Sequence, residues 1–156
     1  MYNNIGASQL KLERIPEAIS SLKIAISMDD KYDLAYNNLG NAYLADGKIQ
    51  LARQTFLDAI KHNDGNADAR VNLGRLELGA SNVDQAIKYL LDATRINKSS
   101  ALAHYYLGLA YEDKGEVKNA ISHFQEFKAN AGIAYSSYIP QVDDKIRDLQ
   151  KKLPIN

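Results

Sequence analysis

Small and apolar residues return along this chain with a period of 34. Gly6, Gly40, Gly74 and Gly108 share one register, and so do Ala18, Ala52, Ala86 and Ala120. Leu22, Phe56, Leu90 and Phe124 make a third column, and Ile15, Ile49, Val83 and Val117 a fourth. Ala25, Ala59 and Ala93 make a fifth, which Phe127 interrupts. Five columns with one step mark an internal repeat, whose unit is a single supersecondary element. With Asp33 as position 1, units run 33–66, 67–100 and 101–134, preceded by a unit at 1–32 lacking its first two positions.

Within each unit two stripes of apolar residues follow one another. Positions 4, 7, 8 and 11 are Tyr36, Leu39, Gly40 and Tyr43 in the second unit. That spacing is one face of a helix. Positions 20, 24 and 27, here Ala52, Phe56 and Ala59, form a second face. Asp46-Gly47, Ser81-Asn82 and Lys114-Gly115 supply turns between the stripes. Each unit is therefore predicted to be a hairpin of two helices, A and B. Gly within a helix costs about 1 kcal/mol relative to Ala, so its recurrence at position 8 implies close approach of A and B, shared with the Ala of position 20. A large side chain at Gly40 or Ala52 should overpack the pair and cost roughly 1–3 kcal/mol.

These columns resemble the tetratricopeptide repeat (TPR) family, whose pattern is an aromatic at 4, Leu at 7, Gly at 8, Tyr at 11, Ala at 20, Phe at 24, Ala at 27 and Pro at 32. The second unit matches from Tyr36 to Ala59. The third departs with Arg70 at position 4 and Glu77 at 11, and the fourth has His104 at 4. No unit has Pro at 32, where Asp30, Asp64, Lys98 and Gly132 stand. The resemblance covers nearly the whole chain. It implies an all-α fold, a right-handed solenoid of helical hairpins forming one domain over 1–156. It also implies a protein–protein interaction module that takes a partner peptide in a concave groove.

Beyond the repeats, Ile139, Val142, Ile146, Leu149 and Leu153 make one more apolar stripe, with charged residues on its other face. A capping helix is expected over about 136–153, with Pro140 in its first turn, where a missing N–H is harmless. Phe127 is expected beneath it. The first unit begins its helix A almost at Met1 with no such cap in this sequence, so that edge is expected either to have lost upstream residues or to be covered by something else. That edge and the convex face suggest an alternative role, an assembly element or scaffold that could form a homo-oligomer.

Positions 2, 5, 6, 9, 12 and 13 of helix A point away from its core stripe, and the resemblance implies that they line the groove. Asn4, Asn38 and Asn72 stand at position 6 of three successive units, and Asn41 and Arg75 at position 9 of the second and third. Asn is a poor helix-interior residue, yet its amide both donates and accepts, so a row of them can hold a peptide backbone without reading its side chains. Tyr105, Tyr106 and Leu109 add aromatic and apolar surface of the kind that anchors partners. A solvated face inherited by duplication gives the same row, and the C-terminal helix could equally cover the tyrosines. The family's clamp for carboxylate-terminated tails needs cations at positions here occupied by Asn37, Leu102 and Tyr106, so that ligand is not expected.

Charge and composition narrow the rest. Lys+Arg and Asp+Glu are both 19, giving zero net charge, which argues against nucleic acid. There is no Cys, so neither a disulfide scaffold nor a thiolate metal site is expected, and no apolar run is long enough for membrane insertion. His62, His104 and His123 occupy unrelated repeat positions and no catalytic motif appears. The sequence predicts no catalytic residue, metal or cofactor, and no enzyme. Its compartment stays open between cytoplasm and, for an excised fragment, periplasm.

Overall fold

The computed structural model describes residues 1–154, which form nine α-helices and one 3-10 helix. The A helices are α1 (Tyr2–Lys11), α3 (Asp33–Ala45), α5 (Ala67–Gly79) and α7 (Ala101–Asp113). The B helices are α2 (Ile15–Met28), α4 (Ile49–His62), α6 (Val83–Ile96) and α8 (Val117–Asn130). Contacts divide the chain into two compact halves, Met1–Leu73 and Gly74–Asn156.

In the N-terminal half, α1 pairs with α2 and α3 with α4. Ala18, Leu22, Ala52, Phe56 and Ala59 are fully buried between the helices. The glycine column serves position 24 more than position 20. A Cβ on Gly40 would lie 2.3 Å from the Phe56 ring, and one on Gly6 2.6 Å from Leu22. Position 3 was not singled out by the pattern, yet Ala35 and Ala69 are fully buried there.

The missing position-32 proline is replaced by polar ties. The buried Arg70 guanidinium pairs with Asp64 and donates to the Asn66 carbonyl at 3.3 Å. Arg70 therefore belongs at position 4: it fastens helix α5 to the turn before it. Asn66 accepts the Ala69 N–H at 2.9 Å and so caps α5.

In the C-terminal half, a Cβ on Gly74 would lie 2.4 Å from Leu90 and one on Gly108 2.5 Å from Phe124. Ser100 caps α7 through the Ala103 N–H. After α8 the chain forms a 3-10 helix at Ile133–Tyr138 and then α9 at Ile139–Gln150. The capping helix is thus shorter than the expected 136–153. Pro140 has no N–H for the Ser136 carbonyl, and its ring would crowd that group, so α-helix cannot continue upstream. Val142, Ile146 and Leu149 bury against Phe124 and Phe127, and Lys145 donates to the Glu112 carboxylate at 2.7 Å.

Candidate interaction face

Within the N-terminal half, position 6 presents Asn4 exposed and Asn38 and Asn72 half-buried; Asn41 is half-buried too. Position 5 does not face outward as helical phase alone suggests. Asn3, Asn37 and Val71 are 5%, 8% and 5% exposed. Asn3 donates to the Tyr32 hydroxyl at 3.3 Å and Asn37 to Asn66 Oδ1 at 3.3 Å, both spanning 29 residues. Position 5 is thus tied to position 34, the last residue of its own unit.

The buried amides also organise the outer row. Asn38 Nδ2 donates to Asn3 Oδ1 at 2.8 Å, and Asn3 Nδ2 donates to Asn4 Oδ1 at 3.4 Å. An Asn amide carries two donors and two acceptor sites. After these bonds Asn38 keeps its carbonyl oxygen and one N–H, and Asn4 keeps its NH2 group. Asn3 was expected on the groove face with the rest of position 5 but was not singled out as a partner contact; Asn stands at position 5 in both of the first two units. Phase placed it outward, and only the packing shows it as the link.

The other expected contacts lie in the C-terminal half. Tyr105 is half-buried, its ring 5.3 Å from Phe127 and 5.6 Å from Tyr138. Burial raises its phenol above the ordinary pKa. Tyr105 and Leu109 are half-buried against the core cluster to which Phe124, Phe127 and Val142 belong. Tyr106 stands edge-on to Tyr105 at 5.4 Å and is half-buried, as is Arg75.

Two histidines meet inside the fourth repeat. His104 and His123 place their Nδ1 atoms 3.0 Å apart, and their ring centroids are 5.3 Å apart. The difference is about two ring radii, so the nitrogens point at one another and share one hydrogen. His104 Nε2 lies 3.1 Å from the Lys98 carbonyl, which only accepts. Nε2 therefore carries the proton of a neutral His104, and His123 Nδ1 donates to His104 Nδ1. Tyr111 stacks on His123 at 5.4 Å. Burial, then the His104 neighbour, holds the His123 pKa below its usual value. Among the described residues no group of three or more His, Cys, Asp or Glu is placed to hold a metal ion. No helix is long and apolar enough to cross a membrane.

The profile of the family described as tetratricopeptide repeat matches residues 4–68 and 71–132. The chain belongs to that family, and its fold is the all-α helical-hairpin repeat. Folds of this family generally mediate protein–protein interaction or scaffolding. No curated protein matches the sequence. Among solved structures, pilF of Pseudomonas aeruginosa is similar with a TM-score of 0.82 and 20% identity, over 97% of this chain and 67% of that one. Cut9 in its complex with Hcn1 gives 0.81 and 20%, over 97% of this chain and 29% of that one. MamA gives 0.70 and 24%, over 95% and 89%. At these identities the likeness concerns the fold alone.

Proposed function

We propose that this protein is an interaction module that holds an extended segment of a partner protein on the face bearing Asn4, Asn38 and Asn72. The observation that carries this reading is the hydrogen-bonded relay Asn38–Asn3–Asn4, which fixes outer amides in place while leaving donor and acceptor atoms on them. Fixed amides lose little rotamer entropy on binding. They suit the alternating N–H and C=O groups of an extended backbone, and they do not select its side chains. Binding of order micromolar, about −8 kcal/mol, is expected.

An immobilised array of mixed-sequence dodecapeptides tests this, with the strongest binders measured by calorimetry. The triple change Asn4→Ala, Asn38→Ala and Asn72→Ala should weaken them about tenfold or more, at roughly 1 kcal/mol per hydrogen bond. The melting temperature should stay put. N-methylation of the peptide backbone should weaken binding more than exchange of its side chains. Unchanged affinity in the triple variant would remove this face from the site.

A further inference from the structure

The facing histidines occur in the fourth repeat alone. Position 4 is Tyr2, Tyr36 and Arg70 in the first three repeats and His104 in the fourth; position 23 is Ser21, Thr55 and Tyr89, then His123. The two rings meet where α7 packs on α8. His104 is 7% exposed, whereas His123 is half-buried.

Their hydrogens can be counted. His104 Nε2 carries one, given to the Lys98 carbonyl at 3.1 Å. The 3.0 Å between the two Nδ1 atoms has room for one more. His123 Nε2 takes part in neither contact. The closed pair therefore holds two hydrogens when neutral and three after taking one proton, which goes to His123 Nε2 and leaves the Nδ1 contact intact. A fourth hydrogen would set two N–H groups head to head, each on an imidazolium. Two separate imidazoles have no such limit.

The surroundings do not lift it. The charges that act on His123 are those of His104 on α7 and Glu126 on its own helix, and Glu126 favours a single proton only. Tyr111 of α7 lies parallel to the His123 ring at 5.4 Å. On the helices packed against this hairpin, Asp84 of α6 pairs with Lys114 and Asp92 with Arg95. On α9, Lys145 pairs with Glu112 and Asp143 with Lys128.

We propose that His104 and His123 form an acid-sensitive latch, which closes the α7–α8 hairpin at neutral pH and opens it when a second proton arrives. His123, the less buried of the two, is the arm that turns out. Phe124 and Phe127 follow it on α8 and form one cluster with Val142, Ile146 and Leu149 of α9, so an opened latch also loosens the cap. The opened pair binds two protons and the closed pair one. The opened population therefore grows as pH falls through the ordinary histidine range. A single buried histidine would respond to its first proton; this pair keeps its contact through the first and loses it with the second. The latch does not use the amide row.

NMR titration of both imidazoles from about pH 8 to about pH 5, above the carboxylate range, tests it together with hydrogen-exchange protection factors at each pH. At the high end, ring nitrogen shifts should place the hydrogens on His104 Nε2 and His123 Nδ1. By the low end, protection in α7 and α8 should fall about thirtyfold, the factor for one imidazole of ordinary pKa, about 6.5, that takes its proton only on opening. Helices α1–α4 should keep theirs. His104→Tyr with His123→Thr rebuilds the second repeat's Tyr36 and Thr55, both buried there, so the hairpin should persist and its protection should not change over this range. His123→Gln alone keeps a donor to His104 Nδ1 and should also abolish the fall. The proposal is overturned if the two histidines each titrate as independent single sites in the folded protein, if His123→Gln loses protection as the wild type does, or if the loss spreads evenly over α1–α9.

Discussion

Position 15 shows how far a single residue can depart from its repeat. Glu13, Gly47, Ser81 and Gly115 all stand there, and all take positive φ, between 57° and 76°. Two are glycines, for which this conformation is free of Cβ strain. Glu13 and Ser81 bear a cost of about 1 kcal/mol. Ser81→Gly is therefore expected to stabilise the protein by up to about 1 kcal/mol and raise the melting temperature by a few degrees. Thermal denaturation followed by circular dichroism reads this directly, and a lowered melt would show that the Ser81 side chain matters more than its backbone. His123 belongs to the same scale. Its folded pKa lies below the ordinary 6.5, so below that pH the unfolded chain binds more protons than the folded one. Stability is then fully present above 6.5 and declines as pH falls toward the folded pKa. His123→Gln keeps a donor for His104 Nδ1 but cannot titrate, and should flatten the dependence of melting temperature on pH between 6.5 and the folded value.

Helices here are held by position-specific partners as well as by apolar stripes. Position 4 was expected to be a packing site, and Arg70 and His104 looked like weak matches to it. Arg70 reaches back to the Asp64 side chain at position 32, and His104, besides packing on His123 of α8, lies against the Lys98 carbonyl at the same position. At these two turns, where the family pattern has proline, the helix is tied to the turn by hydrogen bonds. Phe127 does the equivalent for α9. It replaces the small residue of position 27 and is 1% exposed beside Val142, Ile146 and Leu149. Phe127→Ala should cost about 3–5 kcal/mol. Hydrogen exchange should show α9 opening first, because that helix joins its half through this cluster and the Lys145–Glu112 and Lys128–Asp143 pairs. Equal acceleration of exchange throughout the C-terminal half would argue that α9 has no stability of its own to lose.

At the scale of the whole molecule, charge and surface chemistry matter more than any one bond. The formal charge is zero, so long-range steering toward nucleic acid or an anionic surface is weak. Association of the kind proposed for the amide row rests on short-range hydrogen bonds, and removing a few donors should abolish it.

The 34-residue step, the helical hairpins and the apolar columns were legible in the sequence, because helical periodicity and turn residues are local and recur four times. The final cap was legible from its own apolar stripe but not its bounds, since α9 runs only Ile139–Gln150 with its start set by Pro140. The row at Asn4, Asn38 and Asn72 could be named, but not its wiring. Helical phase places position 5 outward, and only the neighbouring turn, brought 29 residues back, shows that Asn3 and Asn37 are buried ties. For Tyr105 the sequence left open whether the C-terminal segment covers it, and only the fold shows its ring beside Phe127 and Tyr138. Sequence by itself determined what each helix is, since that depends on residues three and four apart. Tertiary structure decided which faces remain open, since that depends on what another element covers.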